Sequence, residues 1–350
     1  MKILIIGAGC TGSALAHIIK KCSSREIALT IWEKSAGCGG RMATSRFPAD
    51  SLGESCSLDI GAQYISNVEK YQQAHADFYE DLKSSSVLTR MTGEVEGALP
   101  DASPTQHYIS SKGLSAIAKH FVAQSGAELC VKTRLDSIRL DSNGLMATAN
   151  TGNSALFDYV ILTIPAPQIL ALSGIDSLLD STEKSLLEGV SYSSRFALAV
   201  KLPAGFTPPV SWTGLYVTDN PCVRFICIDS KKRGLATSST LLVHTGVPYA
   251  LKNLERDKED AGLIEDIFTH VQQVLPWLPT ESKVLRCHKW RYSQVHHAIH
   301  GEPGYFNPKS TSNLLLCGDG FTHSNLDGCI SSALKTWTYL ESSLQGSTRQ

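Results

Sequence analysis

The chain has 350 residues, room for about two domains of roughly 150 residues, and so enough to enclose a cofactor. Hydrophobic residues at 42% and charged residues at 19% exclude a disordered or fibrous chain. The formal charge of -1, from 32 Lys plus Arg against 33 Asp plus Glu, supplies no global field for gripping nucleic acid or an anionic membrane, and neither is expected as a partner.

Lys2 to Ile6 is a short β-branched apolar run of the kind buried on both faces of a parallel sheet, and it enters Gly7-Ala8-Gly9-Cys10-Thr11-Gly12 directly. Ala14, Leu15, Ile18, Ile19 and Cys22 then repeat at helical spacing, and Ala28 to Trp32 reads as a second strand. Strand, glycine turn, helix and strand make a βαβ unit that binds a dinucleotide. Gly7 allows the tight turn, Gly9 lets backbone approach a pyrophosphate, and Gly12 permits close helix packing. Thr11 can add a hydroxyl to a phosphate. Glu33 follows Gly12 by 21 residues, where a carboxylate accepts from ribose hydroxyls. These features alone leave FAD and NAD both open.

Further along, Leu114, Ile117, Ala118, Phe121 and Val122 predict a helix, and Glu128 to Val131 a strand. Runs at Ser137 to Leu140, Leu145 to Ala149 and Phe157 to Thr163 predict a meander followed by a buried strand, with Asn143-Gly144 as a hairpin turn. Strands are expected at Phe196 to Leu202, Val223 to Asp229 and Leu241 to Thr245, and a helix through Leu263, Ile267, Val271 and Leu275. Near the end, Leu314 to Cys317 runs into Gly318-Asp319-Gly320 and then a helix through Ile330, Leu334 and Trp337.

Gly39-Gly40-Arg41-Met42 resembles the GGR signature of the FAD-dependent, amine-oxidase-like flavoproteins, and Asp59 to Ile65 resembles their D-x-G segment. With Val190 to Arg195, Asn220 to Arg224, Lys289-Trp290-Arg291, Gly318 to Thr322 and Ser324-Asn325, the resemblance narrows to the renalase family and extends over nearly the whole chain. It implies an α/β fold: a Rossmann-type FAD-binding domain with an inserted α+β substrate domain, like p-hydroxybenzoate hydroxylase. The expected FAD-binding parts are 1–70, 106–170 and 290–344, with 71–105 and 171–289 as the substrate domain. Bound FAD, held non-covalently, is the implied cofactor. Its candidate contacts are Gly7, Gly9, Thr11, Gly12, Glu33, Gly40, Arg41, Gln63, Tyr64, Leu135 and Asp319. By the resemblance, Gln63 and the neighbouring backbone bond the flavin rim and Asp319 the ribityl chain. Leu135 stands where the family places an apolar contact for adenine, though a strand leucine also reads as plain core.

The activity implied is oxidation of aberrant dihydronicotinamide isomers, 2- and 6-dihydro-NAD(P). Hydride passes to flavin N5 and then to O2, giving NAD(P)+ and H2O2. No separate catalytic side chain is identified, because aromatisation of the substrate drives the transfer. Tyr64, Arg224, His244 and Asn325 are candidates for the substrate pocket; Arg224 and His244 interrupt apolar strand sequence, where a polar side chain needs a partner or faces a cleft. Lys231-Lys232-Arg233 reads either as a phosphate receiver or as a solvated turn. His296, His297 and His300 do not specify a metal site, and none is expected. A flavin monoamine or polyamine oxidase, and a secreted signalling protein with structural FAD, are the alternatives. Ten scattered cysteines read as free thiols in a reducing compartment, with no cleavable signal peptide and no membrane span expected. The family resemblance also allows secretion.

Overall fold

A computed structural model of the chain describes residues 1–49, 53, 55–100, 103–235 and 239–346. Compactness divides it into two units: residues 1–40, 117–192 and 294–350 form one, 41–116 and 193–293 the other. Each is discontinuous in sequence, so the second is inserted twice into the first.

The first unit is built on a six-stranded sheet in the order Tyr305–Phe306, Leu314–Cys317, Tyr159–Leu162, Lys2–Ile6, Ala28–Glu33, Glu128–Val131. All neighbours are parallel except the antiparallel edge pair Tyr305–Phe306 with Leu314–Cys317. The central runs are apolar because helices cover such sheets on both faces. Ile3, Leu4, Ile5, Val160, Ile161, Leu314 and Leu315 are fully buried. Helix Cys10–Cys22 packs against the C-terminal helix Leu326–Gly346, so the two ends of the chain meet in one layer. A three-stranded antiparallel meander, Leu135–Asp141, Gly144–Ala149 and Ser154–Phe157, completes the unit.

Two local expectations shift. The two-residue hairpin loop is Ser142-Asn143, with Gly144 at φ +144° already paired to Asp141. The run Phe157 to Thr163 is not one strand: it breaks at Asp158, whose carboxylate accepts from Lys2 N at 2.6 Å as the chain leaves the meander for the parallel sheet.

The second unit holds a six-stranded sheet in the order Lys283–Trp290, Arg195–Lys201, Thr240–Thr245, Val223–Ile228, Gly214–Tyr216, Val95–Glu96, antiparallel except for the last pair. Leu263, Ile267 and Val271 of helix Ala261–Val274 pack into a core with Phe196, Leu198, Ile226 and Val243. The unit bounds differ from the expected domain bounds. Residues 41–70 and 106–116 group with this unit, where Ile65–Val68 pairs with Thr105–Ile109 and Asp59 is tied to Lys232. Residues 171–192 group with the parallel sheet, because Ile175, Leu178, Leu187 and Val190 share a core with Leu4 and Val160. Residues 347–350 lie outside those described. Among those described, no helix is long and apolar enough to cross a membrane.

Candidate functional site

In the first unit, Gly7 adopts φ +105° and its N–H donates to Trp32 O at 2.8 Å, turning the chain sharply out of the first strand. A Cβ on Gly12 would stand 2.0 Å from Gly7 O, so the helix can sit against the strand only with glycine there. Gly9 is different: a Cβ there would meet nothing nearer than Gly40 Cα at 4.0 Å. Gly39 N donates to Ala8 O at 2.9 Å, which lays the Gly39-Gly40 backbone over the glycine turn. No side chain caps the Cys10–Cys22 helix and its first turn carries no acid, so its N-terminal amides and dipole are suited to an anion.

Glu33 is buried, and its two oxygens accept from Ala8 N at 2.8 Å and Ser35 N at 2.7 Å. A carboxylate has about four lone-pair sites, so two remain for ribose hydroxyls. Thr11 is buried beside this turn. Asp319 follows Gly318, at φ +131°, and accepts from Ser324 Oγ. The Cys10 thiol is pushed well above its ordinary pKa by its hydrogen bond with Cys329, by burial, and by the carboxylates of Asp319 and Asp327. The glycine turn and the Gly318-Asp319 turn are therefore neighbours. Side-chain-free backbone at Gly9 and Gly40, open helix amides and a half-used carboxylate fit a dinucleotide cofactor.

Of the remaining expected residues, Arg41, Gln63, Tyr64, Arg224 and His244 lie in the second unit, and Leu135 and Asn325 in the first. Arg41 O accepts from Ala62 N at 2.9 Å, and a Cβ on Gly61 would stand 1.9 Å from that same oxygen. Asp59 is the centre of a buried ion array that the sequence reading did not find. Its Oδ1 accepts from Thr44 Oγ1 at 2.7 Å and Leu114 N at 2.8 Å, while Oδ2 pairs with Lys232 Nζ at 3.0 Å. Lys232 also reaches Asp229 Oδ1 at 2.9 Å, and Arg233 Nε donates to Asp229 Oδ2 at 2.7 Å. Burial opposes charge on Lys232, but Asp229 and Asp59 outweigh it and hold its pKa above the ordinary range. Burial likewise opposes ionisation of Asp229, and Lys232 and Arg233 outweigh it in the other direction.

Several expectations are corrected here. Lys231-Lys232-Arg233 is neither a phosphate receiver nor a solvated turn: Lys232 and Arg233 are spent on buried carboxylates, and Lys231 donates to Val210 O and Ser211 O. The Gln63 side chain is turned inward, donating to Asp59 O at 2.7 Å and Gly61 O at 2.8 Å and accepting from Lys232, so it braces the segment. Leu135 is 3% exposed and packs in the core with Trp32 and Ala149. Asn325 caps the C-terminal helix, its Oδ1 accepting from Gly328 N at 2.6 Å. His244 does not line the cavity described next. Its Nε2 is 3.3 Å from Ile60 O, an oxygen shared with Trp290 Nε1 at 3.0 Å, and burial lowers its pKa to about 4, leaving a neutral imidazole that donates.

Tyr64 and Arg224 do come together. They line a cavity of about 440 Å³ within this unit, together with Ser66, Met91, His107 and Tyr216. Tyr64 and Tyr216 hydroxyls are 3.1 Å apart, the His107 ring meets Tyr64 edge-on at 5.1 Å, and Ser66 Oγ lies 3.0 Å from His107 Nδ1. The Arg224 guanidinium stands 5.5 Å from the Tyr216 ring centroid and donates one N–H to Val217 O at 3.0 Å. Tyr216, His107 and Ser66 escaped the sequence reading: they sit on short strands without periodicity. A second cavity, of about 470 Å³, lies along the edge strand Lys283–Trp290 and is lined by groups of both charges, including Lys258, Glu259 and Arg286. It holds none of the expected site residues. Among the described residues no three His, Cys, Asp or Glu side chains gather as for a metal.

Residues 103–336 match the family of flavin containing amine oxidoreductases, and residues 5–82 match the NAD(P)-binding Rossmann-like domain. The chain belongs to that flavin family and is an FAD-dependent oxidoreductase. Within it, the chain belongs with renalase: mouse (Mus musculus) renalase is 36% identical over 344 residues, covering 97% of this chain and 98% of its own. The fold is shared with a putative protoporphyrinogen oxidase from Exiguobacterium sp. 255-15, at TM-score 0.70 and 15% identity over 97% of this chain and 99% of that one. A triple mutant of putrescine oxidase matches at TM-score 0.69 and 12% identity, covering 97% and 98%.

Proposed function

We propose that this protein is an oxidase of 2- and 6-dihydro-NAD(P), releasing NAD(P)+ and hydrogen peroxide. The observation that carries this reading is the lining of the 440 Å³ cavity: aromatic rings, a hydroxyl pair and one guanidinium, with no carboxylate among the described lining residues. A fixed cation without a carboxylate repels an ammonium ion and favours a planar ring on an anionic nucleotide, which weighs against the amine-oxidase alternative. The volume lies within the usual range for small-molecule sites, about 300–1,000 Å³.

FAD would be held by the backbone of Gly7, Gly9 and Gly40 and by Thr11, Glu33 and Asp319, all within the first unit. When bound, it supplies the two-electron acceptor that takes a hydride from the substrate and returns the electrons to dioxygen as peroxide. The Tyr64–Tyr216 hydroxyl pair would orient the nicotinamide carboxamide, offering both a donor and an acceptor. No side chain need remove a proton from the reacting carbon, since leaving as an aromatic pyridinium drives the step and positioning carries the rate. This accounts for an array in which the charged side chains Asp59, Asp229, Lys232 and Arg233 are consumed in bracing the 59–64 segment. Peroxide production by the FAD-loaded protein tests the reading: the dihydro-NAD(P) isomers should support it and benzylamine and putrescine should not. Turnover with an amine alone would replace it with the amine-oxidase reading.

A further inference from the structure

We propose that Arg224 is a specificity-determining residue that binds the substrate's phosphate, so that phosphorylated dihydronicotinamide nucleotides are taken in preference to the corresponding ribosides; this rests on the function proposed above. Arg224 lies on the strand Val223–Ile228, exposed, at the wall of the cavity that also holds Tyr64 and Tyr216. Its guanidinium has five N–H donors, and one is used by Val217 O. Among the described residues no carboxylate pairs with it, in contrast to Lys232 and Arg233, whose charges are neutralised by Asp59 and Asp229.

A second guanidinium reinforces the field. Arg195 donates to Thr245 O, also without a carboxylate partner among the described residues, and its pKa is lowered by burial and then by the charge of Arg224. Two uncompensated cations in one region stabilise an anion, and the planar fork of Arg224 matches two oxygens of a phosphate at once. The Tyr216 ring beneath the guanidinium, 5.5 Å away, limits its orientations. Beside it, the Tyr64–Tyr216 hydroxyl pair is neutral and suited to the sugar or carboxamide end. The cavity thus has an anionic-ligand end and a neutral end, the polarity of a mononucleotide.

The test compares 6-dihydronicotinamide mononucleotide with 6-dihydronicotinamide riboside on wild type, Arg224→Gln and Arg224→Lys, all as FAD-loaded protein of matched melting temperature. Wild type should favour the mononucleotide about tenfold to a hundredfold in kcat/KM, the yield of one or two charge-assisted hydrogen bonds. In Arg224→Gln the preference should collapse toward unity through KM, and Arg224→Lys should restore part of it. Calorimetric binding of oxidised nicotinamide mononucleotide, against nicotinamide riboside, reads the same contact without turnover and should weaken to a similar degree in Arg224→Gln. Equal use of both compounds by wild type, or an undiminished preference in Arg224→Gln, would overturn the proposal. If neither compound nor 6-dihydro-NAD is oxidised, the proposed function falls, while calorimetry still decides whether Arg224 binds phosphate.

Discussion

A methyl group at Gly12 would meet Gly7 O at 2.0 Å, whereas at Gly9 the nearest atom is Gly40 Cα at 4.0 Å. The two glycines of one turn therefore answer to different demands. Gly12→Ala forces backbone apart and should lower stability by about 1–3 kcal/mol, seen as a lower melting temperature. Gly9 has φ -78° and ψ -168°, open to any residue. Gly9→Ala should melt like wild type without cofactor yet bind FAD at least tenfold more weakly by fluorescence titration; unchanged affinity would remove the pyrophosphate from that side of Gly9. His244 gives a second prediction at this scale. Its folded pKa of about 4 lies below the ordinary 6.5, so as pH falls the unfolded chain takes up a proton before the folded one does. Its contribution is intact above about pH 6.5 and declines toward pH 4, by about 3 kcal/mol in all. His244→Gln keeps a donor for Ile60 O and does not titrate, so its melting temperature should depend less steeply on pH across that window.

Elements marked by an apolar run or by a helical period were legible from the chain alone. The strands at Lys2–Ile6, Glu128–Val131 and Leu314–Cys317 fall where their apolar runs place them, and the helix Ala261–Val274 where Leu263, Ile267 and Val271 do. The strand Lys283–Trp290 was invisible, because Lys283, Arg286, His288 and Lys289 break up any apolar run along this edge strand. The ion array was invisible for another reason: Asp59 and Lys232 are 173 positions apart, and a run of three cations looks like a solvated turn until its carboxylates are found. Its energetics are testable. Lys232→Met strands two buried carboxylates, Asp59 and Asp229, and should cost about 3–5 kcal/mol. The double variant Lys232→Met with Asp59→Asn should recover part of that loss in chemical denaturation; strictly additive losses would show that the two groups do not interact.

At the scale of the whole molecule, the sequence motifs for the cofactor lie at opposite ends of the chain and fold into one sheet, with Lys2–Ile6 and Leu314–Cys317 both pairing to Tyr159–Leu162. That arrangement was readable because each turn carries its own signal: glycines for close backbone approach, a carboxylate at the end of a strand. The substrate side was far less readable. Arg224 and His244 stood out as polar interruptions of apolar strands, and Tyr64 and Asn325 through the family resemblance, yet His244 turns out to bond Ile60 O and Asn325 to cap a helix. Sequence shows that a polar group needs a partner; only the fold shows whether that partner is protein or ligand. The near-zero net charge is consistent with local handling of phosphate, by helix amides at the glycine turn and, as proposed, by the Arg224 guanidinium, with which no carboxylate among the described residues pairs. What donates the electrons decides the activity. Anaerobic stopped-flow mixing of the FAD-loaded protein with 2-dihydro-, 6-dihydro- and ordinary 4-dihydro-NAD(P) reads this directly at the flavin's visible absorption. Fast bleaching by the 2- or 6-dihydro isomers, with one NAD(P)+ formed per flavin and little response to the 4-dihydro form, is the predicted result. Bleaching by a monoamine with none by any dihydronicotinamide would contradict it.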